Sequence, residues 1–488
     1  MSRSIATNSI YNFVLKVFRL IVPILVGPYI QRLFDKELYG VFNDATTWLD
    51  FALIFGIFGI YTYGVREVAS VRDDKEKCRK LYSSLFVIGL VTNSVVLAAY
   101  TGVVFFSMAS MSRVIYLVLG AKVFANIFMV EWLNEAIENY RFITVKTIVV
   151  RLLYVIGIFA LIHKPDDVVK YSLLIVATDI LNNLVSFVYV TKKIPLTFKG
   201  LELKKHIPSL VSILLISNVN LLYTQLDRMM LGQVDKVAIT VYKTPMDVTY
   251  MIGQLLASIV LVAVPRLAYY SVGDRQDQFM DLLNKSYRSF MLVVFPACVG
   301  IATLAPEIMW IYGGGKYDES IPVLVIFAVR TMESAVYTIC ANQVLYVLHQ
   351  EKFLVRVLLL CGLVNAVLNG IFFACGLFTP VSAVSTTFAA EILLMCLIFR
   401  HIRVKLGIDL HFFNKENVRY LALSLVFVPL TLGVRALGFG DIVTSLLAVP
   451  LCMAVYFGAL LVMKDETMLF LSGKVLGKVP GLNKLVKK

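Results

Sequence analysis

Apolar residues fill the chain in fourteen stretches, at roughly 8–30, 39–63, 81–107, 112–133, 145–163, 168–190, 207–232, 238–264, 286–305, 318–343, 356–374, 380–400, 418–435 and 441–463. About 20 such residues carry a helix across the hydrocarbon core of a bilayer. Only structures that satisfy their own backbone hydrogen bonds are stable there. The pattern therefore predicts an all-α, polytopic membrane protein of fourteen transmembrane helices. Residues 1–30 read as a first span and not as a cleaved signal, because the apolar run outlasts a signal core and no small-residue cleavage site closes it.

Charge then sets the orientation. Lysine and arginine crowd alternate connections, above all Arg66–Lys80, Lys192–Lys205, Arg400–Arg419 and the segment from Lys464 onward. The positive-inside rule places those on the cytoplasmic face, with both termini cytoplasmic. The same rule accounts for the formal net charge of +14 without nucleic acid, leaving anionic membrane lipids as the neighbours of the basic loops. A mean hydropathy of +0.80 excludes a soluble fold. The intervening external connections, such as Phe378–Val381 and Gly438–Asp441, are too short to hold a domain. Function is therefore expected inside the bundle.

An internal repeat organises the bundle. At an offset of 200 residues, Asp35-Lys36 matches Asp235-Lys236, Val41-Phe42 matches Val241-Tyr242, Arg66 matches Arg266, and Asp74 matches Asp274. The copies lie six spans apart, an even step, so both run in the same direction. This predicts two six-helix lobes, residues 1–200 and 201–405, with two appended helices in 406–463 and a basic cytoplasmic tail in 464–488. Parallel repeats of this kind flank a substrate site in many transporters.

Polar residues inside the spans mark that site. At 100° per residue, Asn8, Asn12, Lys16 and Arg19 share one face of the first span, and Asn43, Thr47 and Asp50 one face of the second. The seventh aligns Ser217, Asn220, Thr224 and Asp227, with Arg228 beside them. The eighth aligns Lys243, Asp247, Tyr250 and Gln254, and the tenth carries Arg330, Glu333, Ser334 and Tyr337. Helix-to-helix hydrogen bonds explain part of this set, and Asp247 at i+4 from Lys243 or Glu333 at i+3 from Arg330 supplies a local partner. Lys16 and Arg19 have no acidic residue on their own helix, and intramembrane charge of that sort marks a polar path. Cations along such a path suit an anionic cargo, since guanidinium offers a planar fork to phosphate oxygens. The expected substrate-binding residues are Asn12, Lys16, Arg19, Asp50, Asn220, Asp227, Arg228, Lys243, Asp247 and Arg330.

No enzymatic or metal chemistry is legible. Gly313-Gly314-Gly315-Lys316 lacks the spacing and the Ser/Thr of a phosphate loop. Five scattered histidines have no metal-ligand spacing, and seven cysteines form no CxxC pair. No cofactor is expected.

The second span and its following loop carry the recognisable sequence. Thr62-Tyr63-Gly64-Val65-Arg66-Glu67-Val68-Ala69, followed by Val71-Arg72-Asp73, resembles the tYGxREiAxxR signature of polysaccharide flippases of the Wzx and RfbX type. The opening from Asn8 through Asn12, Pro23 and Pro28-Tyr29-Ile30 to Leu38-Tyr39-Gly40 is similar to the same family. These flippases belong to the multidrug/oligosaccharidyl-lipid/polysaccharide exporter superfamily, and teichoic acid flippases look similar. The resemblance implies two lobes alternating between inward and outward access in a bacterial cytoplasmic membrane. It further implies an undecaprenyl-pyrophosphate-linked oligosaccharide or teichoic acid unit as cargo, with glycan polymerase or transferase enzymes as possible partners. Lys16, Arg19 and Lys243 fit by location the basic groups that receive the pyrophosphate. A cation-coupled multidrug exporter of the same superfamily is the alternative, and it would favour an acidic, aromatic cavity.

Overall fold

In the computed structural model the backbone is described for residues 5–108, 110–272, 275–410, 412 and 414–470. Side chains at 5–10, 12–14, 16–17, 19–20, 110–111, 215–224 and 258 lie outside that description. The described residues are almost wholly α-helical and include no strand. Twelve helical segments among them are long and apolar enough to span a membrane. The two remaining stretches of the sequence pattern, 8–30 and 207–232, fall on helices of 29 and 32 residues, α1 (Ile5–Leu33) and α9 (Leu203–Val234).

The chain divides into two compact units, Met1–Thr240 and Val241–Lys488. In the first unit, α2 (Lys36–Ile57) is packed by α4 (Lys75–Ser107), α5 (Ser110–Ile127), α8 (Val168–Lys193) and α9. Asp35 starts α2 by accepting hydrogen bonds from the backbone N–H groups of Glu37 and Leu38 at 2.9 and 3.1 Å, which satisfies donors that a helix start leaves open. Asp74 does the same for α4. The core joins Phe34, Phe42, Leu49, Tyr116 and Ile158, the last from α7 (Tyr140–Leu161). Many remaining valines, leucines and phenylalanines, such as Phe106, Val95 and Ile156, face outward. In water that surface would aggregate; in lipid it is the solvated face.

The apolar stretch 39–63 contains a break. Helix α2 stops at Ile57, Phe58 and Gly59 adopt positive φ of 51° and 72°, and α3 (Ile60–Val71) follows. Left-handed backbone is free for glycine but costs a phenylalanine about 1 kcal/mol or more. In the second unit, α10 (Lys236–Leu261) likewise stops short of α11 (Val264–Tyr270). Both breaks fall near the 200-residue repeat offset, and hydropathy registers neither.

The second unit is built on α12 (Gln276–Thr303), α14 (Ser320–Ile339), α15 (Glu351–Ala374) and α16 (Pro380–Leu406). Helices α17 (Lys415–Leu425), α18 (Phe427–Arg435) and α19 (Asp441–Val462) correspond to the two appended spans. They pack on α12 and on α13 (Ala305–Gly313). Arg435 clamps them at one end, giving two 2.6 Å hydrogen bonds to the buried Glu307 carboxylate. Asp465, also buried, clamps the other end by accepting from Arg419 and Tyr420.

Candidate functional site

The middle of α2 and the middle of α10 each carry charged residues that reach the surface at membrane depth. On α2, the Asp50 side chain is 46% exposed and lies 3.8 Å from the Arg228 guanidinium of α9, which is itself buried. Asp227, next to it, is fully buried. On α10, the Lys243 ammonium donates to Asp247 at 2.5 Å, one turn along the same helix, and the Asp247 side chain is 41% exposed. Tyr250, one further turn on, is exposed as well. Half-exposed carboxylates at that depth have to meet water, because turning them into lipid costs several kcal/mol. Each unit therefore presents a wet polar strip on the helix that begins with the Asp-Lys pair of the repeat.

Other sequence-predicted residues lie elsewhere. Asn12, Lys16, Arg19 and Asn220 lie outside the described residues, as do Ser217 and Thr224. Arg330 is engaged by Glu391 of α16: its Nε and Nη2 donate to the two carboxylate oxygens at 2.6 and 2.7 Å. A guanidinium held in that planar two-bond geometry is a structural tie between α14 and α16. Glu333 keeps one oxygen without a hydrogen-bond partner among the described residues.

Several charged groups take partners from remote helices, which the sequence alone does not show. Asp44, fully buried on α2, accepts hydrogen bonds from Tyr116 of α5 and from Lys236 at the start of α10. Its neighbour Asn43 donates to Thr240 at 2.9 Å. Lys122 pairs with Asp179 of α8 at 2.9 Å. Lys146 of α7 pairs with Glu131 and also donates to Ser186 at 2.7 Å. Helix periodicity shows which face a residue occupies and is silent on a partner from another helix.

The broken helices are capped from outside. Gly56 O, released by the break after α2, accepts from Asn93 Nδ2 at 3.0 Å and Thr92 Oγ1 at 2.9 Å, both on α4. Asn126 in turn donates to Asn93 at 2.9 Å. Val260 O, near the break after α10, accepts from Gln343 Nε2 at 2.8 Å, and the same nitrogen donates to Ser286. Gln343 sits in a π-type turn, Cys340–Leu345, that extends α14. Unsatisfied carbonyls are expensive in a membrane, so both breaks are built features.

The signature residues at 61–72 lock α3 in place. Tyr61 donates to Glu135, Tyr63 shares a 2.8 Å hydrogen bond with His206, and Arg72 reaches Glu138 at 2.8 Å. A Cβ on Gly64 would sit 2.5 Å from the Trp132 ring, so that helix packs directly on α6 (Glu131–Ala136). Arg66 pairs with the adjacent Glu67 and is largely exposed. His206 is buried, and burial followed by the charge of Lys205 lowers its pKa below the ordinary imidazole value.

A family model described as "Polysaccharide biosynthesis protein" matches residues 5–271, more than half of the chain. The chain belongs to the polysaccharide biosynthesis protein family. It is 20% identical to the "Putative O-antigen transporter" of Escherichia coli (strain K12) over 413 residues, covering 82% of this chain and 97% of that one. It is 28% identical over 122 residues, a quarter of each chain, to the "Probable low-salt glycan biosynthesis flippase Agl15" of Haloferax volcanii. Among solved structures, the "Lipid II flippase MurJ, inward closed conformation" superposes with a TM-score of 0.69 at 15% identity, covering 93% of this chain and all of that one. An outward-facing multidrug resistance MATE family transporter of the MOP superfamily gives 0.51 at 11% identity, over 82% and 94% of the two chains. At those identities the structural likeness speaks for the fold alone. The family membership agrees with the resemblance carried by the 62–73 motif, and the chain is a multi-pass membrane protein of polysaccharide biosynthesis.

Proposed function

We propose that this chain is a flippase that moves a lipid-linked glycan repeat unit across the bacterial cytoplasmic membrane by alternating access, with both termini cytoplasmic. The observation that carries the reading is the wet polar strip at mid-membrane depth, Asp50 with Arg228 in the first unit and Lys243 with Asp247 in the second. A polar strip inside an apolar bundle serves the passage of something polar. The names of the two relatives, an O-antigen transporter and a glycan biosynthesis flippase, point to the same cargo class. The cargo is an undecaprenyl-pyrophosphate-linked oligosaccharide or a teichoic acid unit. Lys16 and Arg19 receive the pyrophosphate, Asn12, Asn220 and Lys243 add polar groups for the cargo, and Asp227, fully buried, has no exposed surface to offer it. Arg330, tied to Glu391, positions α14 rather than touching the cargo.

The test is flipping of a fluorescent undecaprenyl-pyrophosphate-linked oligosaccharide in proteoliposomes of the purified protein. The wild type is expected to move it, and Lys16→Gln with Arg19→Gln to slow it at least about tenfold, equivalent to about 1.4 kcal/mol, with membrane insertion intact. A wild-type protein that exports cationic drugs and leaves every lipid-linked glycan in place would overturn the reading in favour of a multidrug exporter.

A further inference from the structure

The connection from α8 to α9 forms a strap across the start of α4 and is fastened there along its length. Arg79 Nε and Nη2 donate to the carbonyls of Pro195 and Leu196 at 2.8 and 3.2 Å. The hydroxyls of Ser83 and Ser84 accept from the backbone N–H groups of Thr197 and Glu202 at 2.9 and 3.3 Å. On this fixed platform Phe198 stands out with 70% of its surface exposed. The fastenings also set its depth. The apolar stretch of α4 opens at residue 81, between Arg79 and Ser83, so the strap lies where headgroups give way to acyl chains. Charge around it is one-sided. Residues 74–80 and 192–205 hold nine lysines and arginines against three acids. All three acids are engaged: Asp74 with Lys77 at 3.1 Å, Glu76 with Lys80 at 3.0 Å and Glu202 with Lys205 at 2.6 Å. Lys199 on the strap, Lys192 at the end of α8 and Lys204 at the start of α9 are exposed and enter no ion pair among the described residues.

From this geometry we propose that the strap is a binding site for an anionic phospholipid, with Phe198 among the upper acyl carbons and Lys192, Lys199 and Lys204 on the headgroup phosphate. Aromatic rings settle at the membrane–water boundary, and ammonium groups beside them are drawn to anionic headgroups. A zwitterionic lipid offers the ring the same chains and gives the lysines no net charge. An acidic soluble protein would match the lysines but would have to displace lipid to reach the ring. Because the strap is tied to α4 and joins α8 to α9, the bound headgroup bears on three helices of the first unit at once. The lipid site does not depend on the identity of the cargo.

Phe198→Trp in the full-length protein, reconstituted in nanodiscs, reads the contact by fluorescence, with wild-type emission subtracting Trp48, Trp132 and Trp310. Acyl-brominated phosphatidylglycerol should half-quench the added tryptophan at a mole fraction at least about fivefold lower than brominated phosphatidylcholine, the worth of one lysine at an anionic surface. Changing Lys192, Lys199 and Lys204 together to Gln should bring the two lipids to parity, and a preference that survives all three changes overturns the proposal. Equal quenching with the lysines in place would make Phe198 an ordinary acyl contact and overturns it as well. Quenching by neither lipid would put the ring in water and overturn it in favour of a soluble partner. If Phe198→Trp fails to fold, hydrogen–deuterium exchange of residues 194–202 in the wild type decides. Stronger protection in phosphatidylglycerol than in phosphatidylcholine nanodiscs supports the site, and equal protection overturns it.

Discussion

Helices α2 and α10 begin from the same Asp-Lys pair, break at nearly the same place and cap the carbonyl released there from a different helix, yet the polar residues around the matching positions 43 and 243 are used in opposite ways. On α2, Asn43 and Asp44 are buried and bonded to residues about 190 positions away. On α10, Lys243 and Asp247 pair with each other along one helix and remain partly exposed. The first arrangement fixes structure, because losing one partner strands a buried group. The second costs little to open, since an exposed i,i+4 pair contributes a few tenths of a kcal/mol. A repeat thus keeps a backbone device while the side chains at that matching position are assigned to holding in one copy and to handling in the other.

The sharpest way to break this comparison is to neutralise the α10 pair. Lys243→Gln with Asp247→Asn is expected to reduce glycan flipping at least about tenfold while thermal stability changes by less than about 0.5 kcal/mol. A stability loss as large as that from a buried pair would show that α10 is a holding helix too. Next in size is the cap of the second break. Gln343→Leu removes two hydrogen bonds, to Val260 O and to Ser286, leaves Val260 O with only the long 3.3 Å bond from Ala263 N–H, and should cost about 2 kcal/mol, seen as a lowered unfolding temperature in detergent. Asn93→Leu should cost about 1 kcal/mol less, because Thr92 still donates to Gly56 O; equal losses would mean that Thr92 is no reserve.

The smallest effect concerns the lock on α3. Burial lowers the His206 imidazole pKa, so the folded state favours its neutral form. The stability this contributes is complete above the unfolded imidazole value of about 6.5 and is lost as pH falls below it. The unfolding temperature of the wild type should therefore drop more between pH 7 and pH 5 than that of His206→Gln. Parallel pH profiles would remove His206 from the lock.

Hydropathy made the spans legible, because length and apolar content are what a bilayer demands. The break at Phe58-Gly59 stayed hidden inside an unbroken apolar stretch, since backbone φ leaves no mark on hydropathy. Helical periodicity placed Asn43 and Asp50 on one polar face but passed over Asp44, whose meaning depends on Tyr116 and on Lys236 at the far end of the first unit. Arg330 shows the same limit. The spacing pointed to Glu333, and the partner that offers two coplanar oxygens to the fork, Glu391, lies 61 residues away on another helix.

The external caps on the two breaks also impose an order on biogenesis. Gly56 O obtains its donors 36 and 37 residues later, as soon as the next long helix is made. Val260 O has a long 3.3 Å hydrogen bond from Ala263 N–H at once but waits 83 residues for Gln343. As the chain emerges from the ribosome and enters the bilayer, the first kink can close almost at once. The second hangs on that one long hydrogen bond through the synthesis of two further long helices. A nascent chain stalled between residues 262 and 342 is thus the species on which membrane quality control has the most to grip.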